Sequence, residues 1–313
     1  MQSSRMLESL NIPSNQLGDP RIAQLVSTLR LFESYSRELA SIYRGLFEEG
    51  SKSTLEKLLS LVNSLIREAE LAPECLLFVC NTAPGRQAPE RRAVRAGILT
   101  AMLGRRQGAM RRKLVSTVAA ALTADIALYR DKLKPQSDEK LPLNHPHLGA
   151  DILAQNNLED SLWIESVRNH HEFLDGSGFP SQLTESELKV PARILSIISR
   201  FIDYQGSPAE ALKVLYLDRG KKIDALLAQQ FIKEVGVYPP GSVLILEDNS
   251  KVFVWQYSKK SEDFWLLKNP SLSSESPRFS VVDDSPKKRI TRTASPEDCP
   301  ELFQWIADLA APA

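Results

Sequence analysis

The stretch His170-His171-Glu172-Phe173-Leu174-Asp175-Gly176-Ser177-Gly178-Phe179-Pro180 gathers most of the chemistry this chain carries. The chain has 4 histidines, and three of them, His145, His170 and His171, fall within a window of 27 residues. Imidazole is the commonest metal ligand and titrates near neutral pH. One isolated histidine is more often a buried, hydrogen-bonded residue than a ligand. Two adjacent histidines followed by acids and a glycine-rich turn ask for a metal or catalytic reason, or for a scaffold that holds both rings.

Working outward from this stretch, the flanking sequence is helical. Apolar residues recur at spacings of three and four over 20–49 and 53–72, as in Leu55, Leu58, Leu59, Val62 and Leu65. The run Leu76 to Cys80 fits a strand or a buried helical turn. Residues 81–89, with two prolines and a glycine, read as a connection and a domain boundary. Helices are expected over 90–133, broken near Gly104 and Gly108, then over 146–156, 159–171, 184–204, 208–217 and 223–235. Pro146 and Pro208 follow good helix-starting residues. Beyond residue 236 the period changes to two, with Val243, Ile245, Val252 and Val254 indicating two or three antiparallel strands. A Ser-, Pro- and charge-rich exposed loop over 269–298 and a short final helix over 301–309 complete the pass. The expected fold is mainly α: a helical N-terminal region over 1–85, a helical domain over 86–235, and a small β-containing extension over 236–313.

Composition excludes several classes. The 313 residues carry 39 Lys+Arg and 39 Asp+Glu, so no net charge draws the chain toward nucleic acid or anionic membrane. No run is long and apolar enough to span a bilayer, and the N-terminus lacks a secretory shape. Three cysteines are too few for a disulfide framework or a four-cysteine zinc site, so a cytoplasmic location is expected. The only charge asymmetry runs from Arg91 to Lys113 without an acid, and its plain reading is a solvated helix face.

Residues 121–204 resemble the HD-GYP family, bacterial helical domains that hydrolyse cyclic di-GMP at a centre of two or three metals. The 170–180 stretch is similar to that family's HHE and DGSGYP signature, with Phe179 for the tyrosine. His145-Pro146-His147-Leu148-Gly149-Ala150 is similar to its HPxxGA helix start, and Pro191-Ala192-Arg193-Ile194-Leu195 to the helix that follows. The departures are equally specific. The family's HDxGK motif falls on Ala124-Asp125-Ile126-Ala127-Leu128, so the dyad histidine and the phosphate-contacting lysine are both absent. An earlier histidine ligand has no counterpart, and Arg92 lies near its place. The downstream aspartate falls on Ser199, with Asp203 one turn further.

Sorted by metal, the resemblance implies that one site has collapsed to Asp125 alone. The second keeps its full set of Asp125, His145, His170 and His171, suited to one iron, manganese or zinc ion. No residue is assigned a catalytic role. The implied function is a catalytically degenerate HD-GYP protein, a regulatory or protein-interaction module in cyclic di-GMP signalling. The alternative is an active cyclic di-GMP phosphodiesterase with a reduced metal centre. A cyclic dinucleotide and a protein partner such as a diguanylate cyclase are the implied binders. The turn carrying Asp175, Gly176, Gly178, Phe179 and Pro180 is the expected contact, with Phe179 as an exposed aromatic anchor.

Overall fold

The computed structural model describes residues 20–48, 52–130, 143–257, 264–268, 280–283, 290–294 and 299–310. The mainly α expectation holds. The described helices are α1 (Pro20–Glu48), α2 (Lys52–Leu71), α3 (Pro73–Thr82), α4 (Pro89–Arg106), α5 (Arg111–Thr123), α6 (Ile126–Arg130), α7 (His145–Gln155), α8 (Ser161–Arg168), α9 (Val190–Asp203), α10 (Pro208–Asp218), α11 (Ala225–Val235) and α12 (Pro300–Ala310). The ambiguous Leu76–Cys80 run is helical in α3, where all of Cys75 to Thr82 are buried. A short apolar run inside a core has no exposed face, so periodicity could not separate helix from strand. The helix expected over 184–204 is two pieces, a 3₁₀ turn at Glu185–Glu187 and then α9. Lys189 is extended and Pro191 sits in the first turn of α9, which restarts the helix there.

α4 is the central element. Thirteen of its residues, from Arg92 to Gly104, are buried. It packs against α5, α1, α2, α9 and α11. One hydrophobic core runs without a break from Leu25 and Phe32 in α1 through Ile98 and Leu122 to Phe201, Phe231 and Phe253. The segments on either side of residue 86 therefore share their buried surface.

The C-terminal segment forms a five-stranded antiparallel sheet in the order β4-β3-β2-β1-β5. Its strands are β1 (Val243–Leu246), β2 (Lys251–Tyr257), β3 (Phe264–Lys268), β4 (Ser280–Asp283) and β5 (Ile290–Ala294). Two of these strands lie inside the stretch expected to be an exposed loop. Val281-Val282 and Ile290-Thr291-Arg292-Thr293 are short β-forming runs. The surrounding Ser, Pro and charge masked them, because edge strands need little apolar residue of their own. Strand alternation divides the sheet. Val243, Ile245, Phe253 and Trp255 join the main core, and Leu244, Leu246, Val252 and Val254 form a second cluster on the other face. Phe78 of α3 meets Phe253 and Trp255 at ring-centroid distances of 5.6 and 5.2 Å. The sheet is seated on α3 through Gly241, where a Cβ would lie 2.8 Å from the Cβ of Asn81 and 3.0 Å from the Phe78 carbonyl. Asn81 Nδ2 donates to the Pro240 carbonyl at 2.8 Å beside it.

No helix among the described residues is long and apolar enough to cross a membrane. All three cysteines are free thiols and buried. Burial pushes the Cys80 thiol up to about 12, so it is an inert packing residue.

Candidate metal centre

Three segments deliver the cluster. Asp125 lies in the turn closing α5, His145 is the first residue of α7, and His170 and His171 follow the end of α8. Two polar ties fix α8 against α5. Trp163 Nε1 donates to Thr123 Oγ1 at 2.7 Å, and Ser116 Oγ donates to Asp160 Oδ2 at 2.6 Å while the Asp160 side chain caps α8. These bonds set the distance between Asp125 and the histidine pair.

One ligand atom from each of Asp125, His145, His170 and His171 lies within 4.8 Å of the others. His145 Nε2 is 3.2 Å from His170 Nε2 and 3.4 Å from Asp125 Oδ1, which lies 3.7 Å from His170 Nε2. Ligand atoms about 2.0–2.2 Å from a shared ion lie roughly 3–4 Å apart, so the set needs only slight closing. Two further observations fit a cation. Asp125 Oδ1 and His171 Nε2 are buried without a hydrogen-bond partner. His170 Nδ1 lies 2.7 Å from the Val167 carbonyl, a contact that requires the proton on Nδ1 and leaves the Nε2 lone pair facing the cluster. Burial, followed by the neighbouring His170 and His145, holds the His171 pKa well below the usual histidine range, so its ring stays neutral. The sequence-derived ligand set is thus one spatial cluster, and its chemistry suits a transition metal.

The other oxygen of Asp125 meets Arg92 of α4. Its Nε donates to Asp125 Oδ2 at 2.7 Å, and its Nη1 pairs with Asp203 at the end of α9. Burial alone would raise the Asp125 pKa, but the Arg92 charge and the adjacent His145 and His170 rings outweigh it and hold the carboxylate well below its usual range. Asp125 therefore joins a guanidinium through one oxygen and the histidine cluster through the other. Sequence reading noted Arg92 and Asp203 separately and missed their pairing. The available signal was an arginine, in place of a histidine, in a helix with an unaligned acid one turn beyond the lost aspartate.

The glycine-rich turn is built onto the cluster. Buried Glu172 accepts from the backbone N–H groups of Ser181 and Leu183 at 2.5 and 3.1 Å, which clamps the far limb of the turn. Gly178 is buried, and a Cβ there would sit 2.4 Å from Phe173 N, 2.5 Å from Glu172 Cα and 2.6 Å from the His171 carbonyl. That close approach lets Phe179 N donate to the His171 carbonyl at 3.2 Å. The Phe179 ring stacks on His171 at 4.5 Å between centroids and 22° between planes. The expectation of an exposed aromatic anchor is corrected here. Phe179 and Pro180 are half-buried, and the exposed tip consists of Asp175 and Ser177, bonded to each other at 2.6 Å. The backbone approach at Gly178 turns the aromatic ring inward over the cluster. The Trp163 side chain, bonded to Thr123, is buried.

An aspartate after α5, a histidine opening α7 and a histidine pair after α8 converge on one buried point of a helical bundle, the arrangement of an HD-type domain. Residues 86–227 match the model of the HD domain family. The chain is 23% identical over 209 residues to the cyclic di-GMP phosphodiesterase PdeB of Borreliella burgdorferi, covering 60% of this chain and 55% of that protein. It is 29% identical over 111 residues to the cyclic di-GMP phosphodiesterase PA4108 of Pseudomonas aeruginosa, covering 33% and 27%. The chain thus spans about half the length of the first of these relatives and about a quarter of the second. Bd1817, a HDG"Y"P protein from Bdellovibrio bacteriovorus, shares the fold with a TM-score of 0.57 at 16% identity, over 73% of this chain and 76% of that one. Residues 86–227 thus form an HD domain, and the HD-domain match, the two phosphodiesterase relatives and the shared fold support its placement with the HD-GYP family.

Proposed function

We propose that this chain is a catalytically degenerate HD-GYP protein that serves cyclic di-GMP signalling as a regulatory and interaction module. The observation that carries the reading is Arg92, whose guanidinium pairs with both Asp125 and Asp203 at the place of the lost ligands. Asp125, His145, His170 and His171 would hold one transition metal, which supplies Lewis acidity when bound. What the rest of the chain does is keep reactants away. Arg92 supplies one fixed positive charge that cannot be deprotonated, so it neither accepts a proton nor leaves a coordination position for substrate. Phe179 covers His171, and His145 and His170 are almost fully buried. Ala124 and Leu128 offer neither a ligand nor a phosphate contact. Losing such charge contacts costs about 10²–10³ in rate each. Support for a cyclic dinucleotide as the relevant ligand comes from the two phosphodiesterase relatives. The exposed tip at Asp175 and Ser177 is the part of the signature turn left for a protein partner, such as a diguanylate cyclase.

The test is turnover of cyclic di-GMP by purified protein supplied with iron or manganese. Hydrolysis at least about a hundredfold slower than by an intact family member is expected. Turnover near an ordinary enzymatic rate of about 1 per second would overturn the proposal and favour a phosphodiesterase with a reduced centre. The intact four-donor cluster is the one feature that favours that second reading.

A further inference from the structure

A second polar feature lies where the helical domain meets the sheet. The pocket there measures about 410 Å³ counting its open mouth, and none of the metal-cluster residues lines it. Its only charged described lining residues are Arg86 and Arg95, without an acid among the described ones. Arg95 belongs to the buried face of α4 and is 4% exposed. Its Nε and Nη1 are buried with no hydrogen-bond partner. A guanidinium has five donors and is costly to bury without an acceptor. Asp203, the acid whose charge reaches Arg95, is already paired with Arg92. Burial, with Arg86 and Arg92 nearby, lowers the Arg95 pKa to about 10, still charged at neutral pH. A buried charge with no counter-ion among the described residues asks for one from outside.

The opposite wall is Gly206, Ser207 and Pro208, the N-terminal end of α10. The positive end of that helix dipole faces the same space. The α10 cap is internal, since Ser207 and Glu210 form a reciprocal capping box, so Glu210 is already engaged. Asn81 completes the polar lining while its amide nitrogen donates to Pro240. The apolar remainder, including Phe201 and Val243, keeps the site poorly hydrated and strengthens charge interactions there.

We infer that this pocket binds a phosphate group, with Arg95 as its buried anchor and Arg86 at its rim. A tetrahedral oxyanion matches the forked guanidinium donors, and the limited space suits one phosphate rather than a whole dinucleotide. The site joins α4, α10 and the sheet, so occupancy would stabilise the seating of the C-terminal segment on the helical domain.

Thermal unfolding of the full chain tests this in 10 mM inorganic phosphate against chloride of equal ionic strength. A rise of about 3 °C is expected, the response to a tenfold excess over a millimolar dissociation constant. Titration calorimetry should give one phosphate per chain. A parallel arm with a nucleoside monophosphate separates sources: a larger shift assigns the phosphate to a nucleotide, and an equal or smaller one to free phosphate. Arg95→Met should fold, melt no lower than the wild type in chloride, and lose the phosphate response. Arg86→Gln should keep the fold and weaken binding severalfold. The inference is overturned if the wild type shows no phosphate-specific shift. It is also overturned if Arg86→Gln keeps the full response while Arg95→Met melts far lower in both buffers, since Arg95 would then be a structural residue only.

Discussion

Replacing Arg92 by methionine tests the central feature of the site. The Arg92 side chain is 9% exposed, and it pairs with Asp125 at 7% and Asp203 at 34%. Methionine keeps most of the aliphatic volume and removes the charge, leaving Asp125 as an uncompensated buried carboxylate. Breaking a buried pair by removing one partner costs about 3–5 kcal/mol. Asp203 is a third exposed and adds at most about 1 kcal/mol, since water takes over its solvation. His145 stays within 3.4 Å of Asp125 and offers it partial compensation. The expected loss is therefore near the lower bound, about 3 kcal/mol. Urea unfolding followed by circular dichroism, with chelator present, measures it directly. Arg92→Lys should fall between, because an ammonium keeps the charge but cannot hold two carboxylates in the forked geometry. Asp203→Asn should cost less than about 1 kcal/mol. A loss below about 1 kcal/mol for Arg92→Met would mean that the guanidinium does not compensate Asp125, and the picture of a charge standing in the lost site would fail.

Three further outcomes follow from the geometry. Elemental analysis after metal-supplemented purification should find at most one transition metal per chain, and His170→Ala should abolish it; two metals per chain would refute the blocked site. Gly178→Ala should cost at least about 2 kcal/mol in the same unfolding assay, because its Cβ would meet backbone at 2.4–2.6 Å on three sides. A near-neutral result would mean that the turn is not held against Glu172 and His171. Phe179→Ala should cost about 1–3 kcal/mol, from lost stacking and burial, and should speed metal removal by chelator. An unchanged melting temperature with unchanged chelation kinetics would show that the ring does not cover the cluster.

The cluster was legible in the sequence because its three histidines sit in local motifs that survive, while Asp125 is the one residue left of its own motif. His145 opens a proline-marked helix, and His170-His171 precede a turn in which Gly178 has no spare room. The helical character of most of the chain was legible from spacing. What sequence concealed were relations between distant segments. Arg92 and Asp203 are 111 positions apart, and only the packing of α4 against α9 brings them together. Phe179 read as a loop aromatic, because turn residues are usually exposed and nothing local indicates that Gly178 presses the backbone onto His171. β4 and β5 were hidden because they are short strands flanked by polar residues, defined by pairing partners and not by their own composition.

The charge balance around Asp125 bears on which ions the cluster suits. As ligands, three imidazoles and one carboxylate supply a single negative charge, and Arg92 already offsets part of it through Oδ2. A dication at the cluster would therefore approach a nearly neutral donor set with a fixed positive charge beside it. Such a site favours ions that bind imidazole well, zinc and iron, over ions that depend on several carboxylates. A second dication would have to displace Arg92 itself. That means exposing a guanidinium that two aspartates hold, and it would gain a place with no histidine left to bind it. The arginine thus holds two aspartates by charge alone and supplies no Lewis acidity of its own.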